Sequence, residues 1–191
     1  NISCGMSATN GAVYSYTARN GEIGIKTIGN VPAKGICGTG LVDIIAALLD
    51  CGTVDETGFM ESGSFEVSDG VTLTQEDIRQ YQLAKSAVCS AILTLMKLKS
   101  VSFDDIEKMF ISGGFSAKIN IENAVKTGLL PASLADRCVS VNNSSLLGTF
   151  RYACGTCEFS ELTERAEYVD LSSNPFFTEL FVENMMFDTQ E

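Results

Sequence analysis

The chain has 191 residues, enough for one full domain or two small lobes, and 45% of them are apolar, which is ample for a packed core. A net charge of −11 and a pI near 4.4 argue against a protein that grips phosphate backbones or anionic lipid, since either needs clustered Lys and Arg; nucleic acid is not an expected partner. Among the longest apolar runs are Ile44 to Leu49 and Leu146 to Phe150, far short of the roughly 20 residues that span a bilayer, so no membrane segment is expected.

The chain contains no His, which removes the commonest general base, the usual catalytic triads and most zinc sites. Any catalysis must rest on carboxylates, backbone amides, Lys or a cofactor, and no catalytic residue is assigned. Its seven Cys are odd in number and lie within apolar patterns (Cys89, Cys138) or beside Gly (Cys4, Cys37, Cys51). They read as reduced thiols, and the expected setting is cytoplasmic. The N-terminus, with no initiator Met, basic segment or apolar segment, does not read as a signal peptide and reads as a cut inside a longer chain.

Two short β-prone runs, Gly11 to Tyr16 and Glu22 to Ile28, flank Asn20-Gly21 and predict a hairpin. Gly35 to Gly40 is a Gly-rich turn, followed by Leu41, Val42, Ile44, Ile45, Leu48 and Leu49 at helical spacing, with Cys51-Gly52 as the stop. Thr53 to Leu73 is rich in Gly and Ser with short alternating segments, consistent with a small hairpin or irregular insertion. Thr74 followed by Asp77 is a capping-box variant, and the apolar stripe from Ile78 to Met96 predicts a buried helix of about five to six turns.

Ser102 to Asp105 carries another N-cap pattern, Met109-Phe-Ile reads as a short buried strand, and Ser112-Gly-Gly-Phe as a sharp turn. Asn120 to Thr127 reads as a short helix ending at Gly128. The last third predicts a strand at Cys138-Val-Ser-Val, a helix from Asn143 to Ala153, a strand at Tyr168-Val-Asp-Leu, and a helix opened by Pro175 and running from Phe176 to Met186. Strand, Gly turn and helix alternate, which points to an α/β or α+β layered fold.

Two Gly turns carry the chemistry. In Gly35-Ile-Cys-Gly-Thr-Gly40 the glycines let backbone approach a ligand, while the following helix offers N–H groups and a positive dipole end suited to phosphate or ribose oxygens. It is neither a Walker A loop nor the dinucleotide fingerprint, and taken alone it reads equally as a tight turn with close helix packing. In Ser112-Gly-Gly-Phe-Ser-Ala-Lys-Ile-Asn120, the Gly pair leaves no Cβ in the way of a flat ring; the alternative is a plain turn joining strand to helix. The order of the two turns, separated by a long buried helix, favours the ligand reading.

Other features read as structural. Cys154-Gly-Thr-Cys157 has redox-motif spacing but follows a helix instead of opening one, so ordinary non-ligating thiols are expected. Asp43, Asp77, Lys85 and Glu122 could face a cleft, yet charged helix residues usually lie on the solvated face. The cluster of Phe176, Phe177, Phe181, Met185, Met186 and Phe187 is expected to close the core.

Through Asn1-Ile-Ser-Cys-Gly-Met6, Gly35-Ile-Cys-Gly-Thr-Gly-Leu-Val-Asp43, Asp77-Ile-Arg-Gln-Tyr-Gln-Leu-Ala-Lys85, Ser112-Gly-Gly-Phe115 and the Phe187 tail, the chain resembles the C-terminal part of the actin-like ATPase domain of reductive activators of corrinoid-dependent methyltransferases. The likeness covers essentially the whole chain, residues 1–191. It implies an actin-like (ribonuclease H-like) lobe, a mixed sheet flanked by helices, in the superfamily of sugar kinases, heat-shock chaperones and actin.

The resemblance further implies an ATP site, with Mg²⁺, to which Gly38, Thr39, Gly40, Gly113, Gly114 and Phe115 contribute the adenosine side. It implies phosphate hairpins and an iron–sulfur domain upstream, neither visible in this sequence, and a corrinoid protein as partner; a homodimer is left open. The implied activity is ATP-dependent return of inactive Co(II) corrinoid to Co(I). A small-metabolite kinase of the same superfamily and a non-catalytic interaction scaffold remain as alternatives.

Overall fold

The structure, a computed structural model, describes residues 2–19, 22–113 and 118–187. Strands β1 (Ala12–Arg19) and β2 (Glu22–Thr27) pair antiparallel on either side of the Asn-Gly pair, as that turn chemistry predicts. Strand β3 (Gly35–Ile36) joins the other edge of β1 in parallel, giving a mixed sheet in the order β2-β1-β3.

Helix α1 (Gly38–Asp50) follows directly and is buried continuously from Thr39 to Leu48. A helix apolar around most of its girth must be enclosed, and α1 packs across β1. It begins three residues before the first apolar residue of its stripe, so the glycines expected to form a loop ahead of the helix are its first turn. Its stop is as read: Cys51 caps it and Gly52 takes a positive φ of 68°, the left-handed backbone that a helix C-terminus favours.

The Gly- and Ser-rich insertion forms a second hairpin, β4 (Ser64–Ser68) and β5 (Val71–Thr74). It runs into α2 (Gln75–Leu98), whose 24 residues exceed the five to six turns expected. The capping box is complete: the Asp77 amide donates to Thr74 Oγ1 at 3.2 Å and the Thr74 amide donates to Asp77 Oδ2 at 2.8 Å. At Ser102 the same pattern closes only a single 3-10 turn, Phe103–Asp105.

Strand β6 (Met109–Ile111) pairs in parallel with β7 (Cys138–Ser140). Between them lies the short α3 (Ile121–Lys126), capped by the Asn120 side chain and ended at Gly128. The chain closes with α4 (Ser144–Ala153), α5 (Ser160–Arg165) and α6 (Pro175–Glu183). The strand expected at Tyr168 to Leu171 is absent. Helix α5 precedes it, Tyr168 is 88% exposed, and the Asp170 carboxylate accepts from the amide and hydroxyl of Ser172 at 3.0 and 2.6 Å, a local turn that competes with extended pairing.

The core gathers Val13, Val42, Ile44, Ile45, Leu73 and Ile78, all fully buried, between the mixed sheet, α1 and α2. Of the C-terminal aromatic and Met cluster only Phe187 enters it; Phe176 and Met186 remain exposed. Phe187 stacks on Tyr81 with ring centroids 6.2 Å apart.

The α2–α6 seam is polar where sequence reasoning placed Lys85 on a solvated face. Gln82, Lys85, Ser86 and Ser90 are each no more than 1% exposed. Gln82 Nε2 donates to the Met185 carbonyl at 2.9 Å, Lys85 Nζ to that of Met186, Ser86 Oγ to that of Phe181, and Asn184 Nδ2 to Ser90 Oγ at 3.3 Å. The three donors on α2 thus meet carbonyls at and just beyond the end of α6, where intrahelical partners run out.

Among the described residues Lys85 has no carboxylate partner in this seam. Burial pushes its ammonium down to about 8, against the smaller pull of the neighbouring Cys89 thiol. The unfolded chain therefore holds that proton up to about 10.5 and the folded chain only to about 8, so stability rises with pH through this window. In chemical denaturation, the wild type should gain on the order of 1–2 kcal/mol relative to Lys85→Met between those pH values. Parallel pH dependence of the two proteins would show that Lys85 is not buried as an ammonium.

Candidate functional site

The Gly38-Thr39-Gly40 turn is pinned to β1 by three contacts. The Cys37 amide donates to the Val13 carbonyl at 3.1 Å, and Thr39 Oγ1 donates to the Tyr14 carbonyl at 3.0 Å. Gly40 lies so close to the strand that a Cβ there would overlap the Val13 carbonyl oxygen. One turn further on, buried Asp43 accepts from the Tyr16 amide at 3.2 Å and from Asn123 Nδ2 at 2.7 Å, joining α1, β1 and α3.

No side chain caps the start of α1 and no acidic residue lies in its first turn, so the positive end of a 13-residue helix is left unneutralised. That turn forms one wall of a cleft of about 720 Å³, within the size range of small-ligand sites. Met6 from the N-terminal loop, Tyr14 of β1, Ile28 after β2, Gly38, Thr39 and Lys118 are among the residues lining it. Among the described residues lining it Lys118 is the one charged residue, and its Nζ sits 5.9 Å from the centroid of the Tyr14 ring. A second cavity of about 420 Å³ offers the opposite chemistry, with Asp50, Asp55 and Glu56 in its wall.

Of the six residues expected at the ligand, Gly38 and Thr39 line the cleft, and Gly40 stands behind them against β1. Gly113, two residues beyond β6, has a φ of 98° and open space where a Cβ would be. Gly114 and Phe115 fall outside the described residues.

Asp43 and Asp77 do not face the cleft. Burial alone would push the Asp77 carboxyl up, but hydrogen bonds from the Thr74 amide, the Ser3 amide and the Thr74 hydroxyl outweigh it and hold it below its ordinary value. Glu122 is exposed. Tyr14 and Lys118 went unsingled in the sequence, although Lys118 sits inside the quoted Ser112 to Asn120 stretch. Tyr14 occupies a break in the β1–β2 register between Val13 and Ser15, which strand alternation does not announce.

Among the described residues no group of three or more Cys, Asp or Glu is placed to hold a metal ion, and all seven Cys are free thiols. The residues present therefore do not fit an iron–sulfur cluster or a carboxylate cage for Mg²⁺. Cys154 caps the C-terminus of α4, and Cys157 Sγ lies 4.0 Å from the Gly148 carbonyl. Among the described residues no helix is long and apolar enough to cross a membrane.

A mixed sheet and a buried helix starting at a Gly-rich first turn, with a candidate cleft at that turn, define an α/β lobe of the actin-like kind. The chain belongs to the family described as the C-terminal domain of RACo, the ASKHA domain, which matches residues 1–191. It is 27% identical over 219 aligned residues to "Corrinoid activation enzyme RamQ" of Eubacterium limosum, covering 97% of this chain and 37% of that protein. It is 28% identical over 114 residues to "[Co(II) methylated amine-specific corrinoid protein] reductase" of Methanosarcina barkeri, covering 60% of this chain and 21% of that protein.

Among solved structures, "Reductive activator for corrinoid,iron-sulfur protein" superposes with a TM-score of 0.85 at 28% identity, over 97% of this chain and 34% of that one. The actin-like α/β fold and the reductive-activator family expected from the sequence are thus borne out. The chain spans about a third of the length of RamQ and of the solved activator.

Gly40→Ala should destabilise the chain by about 2–3 kcal/mol, because the added methyl must displace the Val13 backbone from a packed interface. Gly70→Ala, at a hairpin tip with open space around it but a φ of 73°, should lose only the ~1 kcal/mol of left-handed strain. Equal unfolding midpoints for Gly40→Ala and wild type would show that the helix and strand are not in contact there.

Proposed function

We propose that this chain is the adenosine-side lobe of an ATP-dependent reductive activator, which returns a corrinoid protein from the inactive Co(II) state to the Co(I) state that accepts methyl groups. The observation that carries the reading is the cleft at the start of α1. In a chain of net charge −11, the described residues lining it are apolar groups, hydroxyls, a helix N-terminus and Lys118, with no carboxylate among them, a combination suited to an anion bearing a flat apolar ring. The printed names of the relatives, which speak of corrinoid activation and of Co(II) corrinoid protein reduction, supply the chemistry of the partner.

In this reading Gly38 and Thr39 contact the nucleotide directly. Gly40 holds their turn against β1, and Gly113, Gly114 and Phe115 belong to the arm that bounds the base. Phosphate-binding hairpins, the ligands of Mg²⁺ and the iron–sulfur electron carrier belong to other parts of the same polypeptide, because this chain's residues do not fit the latter two. ATP when bound supplies the free energy for an electron transfer that is uphill for ordinary donors. The lobe's own residues bind and orient the nucleoside and exclude water from it. Occupancy changes the equilibrium between cleft conformations and hence the face offered to the corrinoid protein. Free thiols throughout accord with a reducing, cytoplasmic setting.

The test is titration calorimetry of ATP with Mg²⁺ against the complete gene product and its Gly38→Val variant, followed by spectroscopic assay of Co(II) corrinoid reduction. A side chain added at Gly38, a residue lining the cleft, should weaken ATP by about tenfold or more, ~1.4 kcal/mol, with reduction falling in parallel. A complete, folded protein that binds no nucleotide would overturn the reading.

A further inference from the structure

Among the described residues the cleft contains one aromatic side chain, that of Tyr14, and the strand that presents it is irregular at that residue. Val13 pairs with Thr27 and Ser15 with Lys26, so β1 advances two residues while β2 advances one, and Tyr14 is the extra residue of a β-bulge. Bulges re-aim a side chain that regular alternation would direct elsewhere. Here the bulge frees Tyr14 from the ladder while Thr39 Oγ1 fixes its carbonyl at 3.0 Å, so the ring is anchored to the very turn that forms the ligand wall. The ring is half-buried and lines the cleft. Its cover is Lys118, an exposed cation whose Nζ lies over the ring 5.9 Å from its centroid.

Resting on the nucleotide reading of this cleft, we propose that Tyr14 is the stacking platform for the base, and that Lys118 is a displaceable cover which leaves the ring to pair with the phosphate chain. Both residues then determine affinity, through different parts of one ligand. Stacking on an aromatic face reads the flat ring and is indifferent to phosphate, whereas a Lys ammonium acts as a point charge on the phosphates. The Tyr14 hydroxyl has no part in this, so Phe serves equally at position 14.

The experiment measures binding of adenosine and of ATP with Mg²⁺ to the complete gene product, by calorimetry, for wild type, Tyr14→Leu, Tyr14→Phe and Lys118→Met, with thermal unfolding as the control for folding. Tyr14→Leu should weaken adenosine and ATP alike, by roughly five- to a hundredfold, while Tyr14→Phe matches wild type. Lys118→Met, on the surface, should weaken ATP and leave adenosine unchanged or slightly tighter. Wild-type affinities in Tyr14→Leu, or a loss confined to ATP, would overturn the stacking role; unchanged ATP affinity in Lys118→Met would overturn the role of the cover. Failure of the wild type to bind either ligand overturns the nucleotide reading itself, and is told apart because it needs no variant.

Discussion

The approach of α1 to β1 at Gly40 is the constraint on which the site depends. Only a residue without a side chain lets the first turn of the helix rest on the Val13 carbonyl, and from that contact the neighbouring geometry follows. Thr39 then falls within hydrogen-bonding reach of Tyr14, and the Cys37 amide within reach of Val13. Gly38 and Thr39, in the first turn of the helix, are thereby placed in the wall of the cleft. Moving the helix outward by the thickness of a methyl group would break all of these together, because packed interfaces do not deform continuously.

A second layer of specification is polar. Asp43 is 6% exposed and Asp77 is fully buried, yet neither is an unpaired charge. Each accepts main-chain or amide N–H groups from elements distant in sequence: Asp43 from Tyr16 and Asn123, Asp77 from Ser3 as well as its own cap. Hydrogen bonds to charged acceptors are short and directional, so these carboxylates fix the angles at which the N-terminal loop, β1 and α3 meet the buried helices. Apolar packing by Ile44, Ile45 and Ile78 supplies the bulk of the burial but would tolerate several such angles.

The sequence made the frame legible where local chemistry alone decides it. Asn20-Gly21 marked the hairpin, Thr74 with Asp77 the start of α2, and Gly52 and Gly128 the ends of α1 and α3. It misled where the decision is tertiary. Nothing local shows that Gly38 to Gly40 continue a helix instead of preceding one, since that outcome depends on β1 lying beneath them. Lys85, Asp43 and Asp77 looked like solvated helix residues because the carbonyls and amides that bury them come from Phe181 to Met186, Asn123 and Ser3, far along the chain. The apolar periodicity of Tyr168 to Leu171 suggested a strand, but no neighbouring strand pairs with it and the Asp170 turn takes its backbone. Half of the cleft was visible as glycines; the half made by Tyr14 and Lys118 depends on a register break and on the path of the arm beyond β6.

Contacts run without interruption from the cleft to the far end of the molecule. Thr39 holds the strand that carries Tyr14; four residues along the same helix, Asp43 holds Asn123 of α3. Thr127, just beyond α3, hydrogen-bonds the Tyr81 hydroxyl of α2 at 2.7 Å, and α2 in turn holds the C-terminal segment through Gln82, Lys85 and Ser86. Each joint is at least partly buried, and the lowered local dielectric makes each costly to break. A lobe built this way does not deform around a ligand by small local adjustments. It moves as a body, and the exposed Lys118 side chain lies over the aromatic ring that lines the cleft. In a protein whose overall charge repels anions, a single cation at that mouth is the element placed to sense a phosphate-bearing ligand first.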